Sequence, residues 1–224
     1  MFFVQDASHE MRTPLAVIKG KVELLTKSLN NISNDELFHI SKIMSELRRL
    51  EKMNSDLLLL AKEDIGESNN LKEFYLEDMV GDIRGFYTDM AEIKDKIFNI
   101  YSNTNIQVLW DYDKVKRVLI ILIENAFKYT GEKGIITVVF EENYKNINVH
   151  VKDNGIGIKK EDQERIFDRF FRTENVRGNN IEGSGIGLSL LKSLCKSLNI
   201  EVVVNSEFRK GSEFILLIPK IMNL

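Results

Sequence analysis

Between Glu63 and Asn70 the hydrophobic pattern of this 224-residue chain changes its period, and that change limits the chain to a two-part fold. Before it, apolar residues recur every three or four positions. Val4, Ser8, Met11, Leu15, Ile18, Val22, Leu25 and Leu29 define one face of a helix over residues 2–29. Pro14 falls inside this helix, removes one backbone donor and should bend it near Glu10. Asn30 to Asp35 has turn composition, and Asn34 or Asp35 is expected to cap a second helix ending near Lys62. Its seam is Ile40, Ile43, Leu47, Leu50, Leu57 and Ala61, with Asn54 as the one polar member. Met44, Met53, Leu58 and Leu60 widen the stripe beyond what two helices bury against each other. Residues 1–65 are therefore predicted to be an antiparallel hairpin that dimerises into a four-helix bundle.

After the short polar linker the pattern becomes mixed. Residues 71–224 are predicted to form an α/β sandwich of ordinary domain size. Helices are expected from Leu76 to about Lys94, Tyr112 to Tyr129 and Ile186 to Leu198. Strands are expected over Ile97–Ile100, Ile106–Trp110, Ile135–Glu141, Asn146–Lys152, Glu201–Asn205 and Ser212–Ile218. Thr173 to Ser184 is polar and rich in Gly and Asn, a candidate lid. The balance of 31 basic and 34 acidic residues gives no reason to expect nucleic acid as a partner. The longest apolar run, Val118 to Ile123, is too short to span a bilayer, and no signal peptide is visible. The single cysteine, Cys195, excludes an internal disulfide and reads as a small buried hydrophobe.

Within the second part, Asp153-Asn154-Gly155-Ile156-Gly157-Ile158 follows a strand. A buried carboxylate there can accept a hydrogen bond from the exocyclic amine of adenine. Gly155 and Gly157 allow the tight backbone path that a bound base requires. Gly183, Gly185 and Gly187 precede a helix whose first amides can face polyphosphate. Asn125 offers an amide oxygen suited to Mg2+, which keeps several waters. Lys128 can reach phosphate, and Tyr129 can stack on a base. Either glycine cluster alone is a common turn, and the second could mark a dinucleotide fold, except that it comes late and follows a polar loop.

Of three histidines, His39 and His150 have no recognisable partner set and are read as structural. His9 lies off the apolar stripe, so its ring is expected to face solvent. Glu10 can fix its tautomer and take its proton while the other ring nitrogen attacks phosphorus. Thr13 lies one turn along the same face and can orient a water for the reverse reaction, or bond a carbonyl one turn back.

Five segments in order resemble the catalytic core of the sensor histidine kinases of two-component signalling. Phe3 to Leu15 resembles that family's H box, and Glu124-Asn125-Ala126-Phe127-Lys128-Tyr129-Thr130 its N box. Asp153 to Ile158 resembles the first G box, Ile166 to Arg172 the F box, and Gly183-Ser184-Gly185-Ile186-Gly187-Leu188 the second G box. The resemblance implies the left-handed βαβ ATP-binding sandwich shared with Hsp90-type chaperones, type II topoisomerases and mismatch-repair ATPases. It implies that Asn125 holds Mg2+, Lys128 and Arg172 approach phosphate, Tyr129 lies against adenine and Asp153 reads its amine. Gly155, Gly157, Gly183, Gly185, Gly187 and Leu188 complete the implied ATP site. One departure is Ile121, where the family often has an asparagine one turn before Asn125; weaker or differently hydrated Mg2+ is expected.

The activity implied is autophosphorylation on His9 by Mg-ATP, then transfer to an aspartate of a response-regulator receiver domain. The alternatives are an Hsp90-like ATPase clamp and a catalytically weak scaffold. The chain starts a few residues before His9, so the segment is expected to be the cytoplasmic part of a longer, membrane-anchored sensor.

Overall fold

The structure, a computed structural model, describes residues 15–26, 33–66, 68–103, 106–173 and 183–221. The expected Pro14 bend, His9, half of the Asn30–Asp35 turn and most of the candidate lid lie outside these residues. The chain divides into two compact units, Met1–Glu67 and Ser68–Leu224.

In the first unit, residues 15–26 form helix α1 and Asn34–Ile65 form α2. The cap of α2 is Ser33, not Asn34 or Asp35. Ser33 Oγ accepts from the Glu36 amide at 3.3 Å, and the Glu36 carboxylate accepts from the Ser33 amide at 2.9 Å. This reciprocal Ser-x-x-Glu box satisfies two donors, which neither neighbouring residue could do alone. The Ser33 amide and the Ser33 hydroxyl, both donating to the Glu36 carboxylate, hold that carboxyl below its ordinary pKa. The helix runs past Lys62 to Ile65 because Gly66, at φ 79°, closes it with an amide directed at the Glu63 and Lys62 carbonyls. Lys19 reaches Glu51 at 3.4 Å, tying α1 to α2. Of the expected seam, Leu47, Asn54 and Ala61 are buried. Ile18, Leu25, Ile43 and Leu50 remain exposed on the single chain.

In the second unit the elements follow in order: β1 (Leu71–Tyr75), α3 (Leu76–Ile93), β2 (Ile97–Ser102), β3 (Gln107–Asp111) and α4 (Tyr112–Tyr129). Then come β4 (Ile135–Glu142), β5 (Asn146–Asp153), α5 (Gly187–Ser197), β6 (Glu201–Glu207) and β7 (Gly211–Pro219). The main sheet has the order β2-β4-β5-β7-β6, with β2 and β4 parallel and the other pairs antiparallel. Strand β1, absent from the sequence reading, pairs with β3 in a separate ribbon. Its Leu71-Lys72-Glu73-Phe74-Tyr75 run is short and half polar, so the partner strand decides its conformation.

Alternation along the central strands fills the core. Ile136, Val138 and Phe140 of β4, Ile147, Val149 and Val151 of β5, and Phe214, Leu216 and Ile218 of β7 are all buried. Helix α4 adds Leu119, Leu122, Ile123 and Ala126. Asp111 caps α4 by accepting from the Lys114 amide at 3.0 Å. Cys195 is buried as expected, and burial pushes its thiol up to about 12. His150, read as structural, has carboxylate neighbours that the sequence does not reveal. Its Nδ1 lies 3.2 Å from Glu213 and its Nε2 3.8 Å from Glu141, on the face of the sheet opposite the core residues.

Trp110 is fully buried and its Nε1 donates to the Pro219 carbonyl at 2.6 Å, pinning β3 to the end of β7. Trp110→Phe should lower unfolding free energy by about 2–3 kcal/mol, combining lost packing with an unsatisfied buried carbonyl. Urea denaturation followed by circular dichroism checks this; a cost under about 0.5 kcal/mol would refute it.

Candidate nucleotide-binding site

The alternation that buries Ile147, Val149 and Val151 also puts the next inward position, Asp153, inside the sandwich at the end of β5. Its register partner on β7 is Ser212, also buried. A carboxylate in this position loses hydration, and burial raises its pKa above the ordinary aspartate value. Backbone amides of Gly155 and Ser212 oppose the shift; the Gly155 amide donates at 2.8 Å.

The turn after Asp153 is held from two sides. The Ile156 amide donates to the Tyr129 carbonyl at 3.1 Å, and the Ile156 carbonyl accepts from the Arg209 amide at 2.7 Å. Space is short on both sides. A Cβ on Gly155 would lie 2.3 Å from the Tyr129 oxygen, and one on Gly157, at φ 63°, would lie 2.0 Å from the Glu207 oxygen. Gly211, at φ 116°, approaches Asp153 from β7 so closely that a Cβ would meet its carbonyl oxygen at 2.0 Å.

Asn125, Tyr129, Asp153, Gly157, Arg172 and Leu188, all expected site residues, line one open cleft. Ile156, Ile158, Phe171, Ser212 and Phe214 complete much of its wall. The mostly apolar lining with few polar groups suits a flat, partly polar ligand such as a nucleotide base. Burial raises the Tyr129 phenol pKa, while the charge of Arg172 acts against it, so the two side chains share one field.

The other expected residues stand behind or beside the cleft. Lys128 Nζ lies 4.7 Å from the Tyr129 ring centroid, and a Cβ on Gly183 would meet that ammonium at 2.1 Å. Gly185, at φ 75°, accepts through its carbonyl from the Phe170 amide at 3.0 Å, fastening the F-box segment to the start of α5. Gly187 opens α5, whose N-terminus has no side-chain cap. Ile121 is buried with its Cγ2 3.7 Å from where a Gly187 Cβ would be, and is not on the cleft wall. His9, Glu10 and Thr13 lie outside the described residues.

Three contributors, Ser206, Ser212 and Gln163, escaped the sequence reading. Ser206 Oγ accepts from the Ile158 amide at 2.8 Å and donates to the Gly211 carbonyl at 3.0 Å, with Ser212 Oγ at 2.9 Å. Gln163 donates to the Ile158 and Ser206 carbonyls. The signal that could have drawn attention to them was Gly211 at the head of the last strand.

Two family models match the chain. Residues 2–66 match the His Kinase A (phospho-acceptor) domain, and residues 110–221 match the histidine kinase-, DNA gyrase B- and HSP90-like ATPase.

The chain belongs to the sensor histidine kinases.

This histidine kinase is 34% identical over 216 residues to the sensor protein CiaH of Streptococcus pneumoniae. It is 32% identical over 221 residues to the signal transduction histidine-protein kinase ArlS of Staphylococcus epidermidis. These alignments take in 95% and 97% of the chain but 48% of each relative, so the chain spans about half the length of the curated relatives it matches. Among solved structures, full-length ShkA in complex with AMPPNP shares the fold, at a TM-score of 0.82 and 22% identity over 98% of this chain and 46% of that one. Histidine kinase ThkA, in complex with the response regulator protein TrrA, aligns at a TM-score of 0.64 and 26% identity over 96% of this chain and 60% of that one.

Asp153 gives two linked expectations. A carboxylate whose folded-state pKa is raised favours the fold at low pH, and that contribution is lost as pH rises from the ordinary aspartate range through the folded value. Asp153→Asn removes the ionised form, so at neutral pH the nucleotide-free variant should melt no lower than wild type. Its affinity for ATP should nevertheless fall about ten- to a hundredfold, the loss of a charge-assisted acceptor. Calorimetric titration beside thermal melts checks both; unchanged ATP affinity would remove Asp153 from the site.

Proposed function

We propose that this chain is the ATP-dependent autokinase core of a two-component sensor, with a phosphoacceptor and dimerisation domain over residues 1–65 and a catalytic ATP-binding domain over residues 71–224. ATP occupies the cleft with its adenine amine on Asp153 and its ring beside Tyr129. Arg172, Lys128 and the first amides of α5 take the phosphates, with Gly155, Gly157, Gly183, Gly185 and Gly187 giving the backbone room to approach. The observation that carries this reading is the buried Asp153 carboxylate opening on a cleft whose glycines leave no space for side chains.

The donor chemistry fits Mg2+ in a limited way. Asn125 presents one amide on the cleft wall, and the described residues hold no cluster of three His, Cys, Asp or Glu side chains. Such a wall suits an ion held mostly by phosphate and water. When bound, Mg2+ would neutralise phosphate charge. With Ile121 buried beside Gly187, Asn125 is the amide left for this task.

The neutral imidazole of His9 attacks the γ-phosphorus. An N–P bond forms, the bond to the β,γ-bridging oxygen breaks, and ADP leaves. Glu10 accepts the imidazole proton. The phosphoryl group then passes to an aspartate of a response-regulator receiver domain. The ThkA–TrrA complex supports a partner of this kind. Thr13 orients a water for dephosphorylation of that partner. The parent protein is a cytoplasmic kinase region on a membrane-anchored sensor; no helix among the described residues is long and apolar enough to cross a membrane.

His9→Ala should abolish acid-labile labelling from γ-labelled ATP while leaving ATP affinity within about twofold, because nucleophile and nucleotide belong to separate domains. Persistent acid-labile phosphate on the variant would refute the assignment.

The first unit is proposed to homodimerise through its apolar stripe. Ile18, Leu25, Ile43 and Leu50 are exposed on the single chain, a patch that a second copy would cover. Sedimentation equilibrium should give twice the monomer mass at micromolar concentration; a stable monomer there would overturn the proposal.

A further inference from the structure

The end of α4 carries Asn125, Lys128 and Tyr129, and a helix end leaves carbonyls that something must satisfy. Here three of the last four α4 carbonyls, and that of Thr130 beyond them, have partners. The Ala126 carbonyl accepts from the Thr130 amide, and the Tyr129 carbonyl from the Ile156 amide. The Phe127 and Thr130 carbonyls both accept from one ammonium, that of Lys96, the latter at 2.5 Å. Lys96 comes from the turn between α3 and β2, far from every segment with motif character. A cation at a helix C-terminus also complements the helix dipole.

The surroundings of Lys96 are built rather than incidental. Its amide donates to the Ala91 carbonyl at 2.9 Å, which fixes the turn. The neighbouring Asp95 carbonyl accepts from the Lys133 amide at 2.7 Å, and the Ile97 amide donates to the Gly134 carbonyl at 2.9 Å. Two residues on, Phe98 packs its ring 5.7 Å from that of Phe127, with Tyr87 stacked 5.5 Å from Phe127 on the same cluster. The loop so fastened leads directly to Ile135, whose amide donates to Asn154 Oδ1 at 2.8 Å, next to Asp153. One side chain therefore clamps the far end of the helix whose near side is the cleft wall.

We infer that Lys96 is a positioning residue for the nucleotide site: its ammonium, bonded to the Phe127 and Thr130 carbonyls, fixes the last turn of α4 and with it the Tyr129 ring and the Tyr129–Ile156 bond. Lys96 does not touch the nucleotide. The inference rests on the reading of this cleft as the ATP site. Loss of the ammonium frees the last turn of α4 to shift, so a bound base meets a less ordered wall. The first consequence is weaker nucleotide binding. Once ATP is bound, the reacting groups are the same as in wild type.

The test is autophosphorylation kinetics on the full chain for wild type, Lys96→Met and Lys96→Arg, with calorimetric ATP binding and thermal melts on each. Lys96→Met, similar in length but unable to donate, should raise KM and Kd for ATP about fivefold, with kcat within about twofold. Lys96→Arg, which can still donate to both carbonyls, should restore most of the affinity. A merely structural lysine would give a different pattern: a lower melting temperature, a reduced active fraction and an unchanged KM. That pattern, or equal ATP affinity in wild type and Lys96→Met, overturns the inference. Failure of wild type itself to bind ATP would instead overturn the reading of the cleft, and this inference with it.

Discussion

The Asp153 carboxylate, held among the apolar residues of the sandwich, sets the terms for the second unit. Asp153 continues the inward alternation of β5, so the strand that builds the core necessarily delivers it there. Burying a charge without compensation is costly. The compensation comes from backbone amides of Gly155 and Ser212, which must approach closely. Close approach explains the glycines. Any Cβ at Gly155 would strike the Tyr129 carbonyl, and any Cβ at Gly211 would strike the backbone of Asp153 itself. The glycines of the turn are thus a consequence of the buried charge as much as a provision for ligand.

Helix α4 connects this arrangement to the rest of the core. Its Leu119, Leu122, Ile123 and Ala126 are buried, while Asn125 and Tyr129 open on the cleft. A helix that is anchored over its length by apolar packing still has a weak end, where carbonyls lose their partners. That end is where the site residues lie. The protein meets the problem with one amide from the Asp153 turn and one lysine from the α3–β2 turn; the first fastens two walls of the cleft through backbone atoms, and the second holds the helix end through its ammonium.

How much of this was legible depends on whether the signal was local. Helix α4 was read with the boundaries it has, because its apolar period is strong and Asp111 caps it. The Asp153 turn and both glycine clusters were legible because each is contiguous. The α2 cap was misplaced by one or two residues because Ser33, Asn34 and Asp35 are all good caps, and only the return bond from Glu36 separates them. Strand β1 was missed because Leu71 and Phe74 give it too weak a pattern without β3 beside it. Ser206, Ser212 and Gln163 converge on Ile158 and Gly211 from segments far apart in sequence, and nothing local marks such a meeting. Lys96 is the extreme case: a lysine in a charged Lys-Asp-Lys turn reads as solvated surface until the helix end it serves is seen.

The polarity of the cleft follows from the same elements. The Asp153 carboxylate on its wall is an acceptor wherever it is ionised. The same lining includes Arg172 and Leu188, the second residue of α5, whose N-terminus has no side-chain cap. Helix N-termini favour anions, and the guanidinium adds a full positive charge. A ligand suited to this lining carries a donor for Asp153, negative charge for Arg172 and the α5 amides, and a flat apolar part to lie against side chains such as Tyr129, Ile156 and Phe214. In the proposed complex adenine and its phosphates meet all three conditions. A guanine nucleotide would meet two, but in the adenine pose its exocyclic oxygen would face the Asp153 carboxylate, leaving two acceptors opposed in a buried site. The cost of an unpaired buried acceptor, about 1–3 kcal/mol, is enough to exclude it by roughly five- to a hundredfold. Base discrimination here therefore needs no residue beyond the one whose burial already organises the fold.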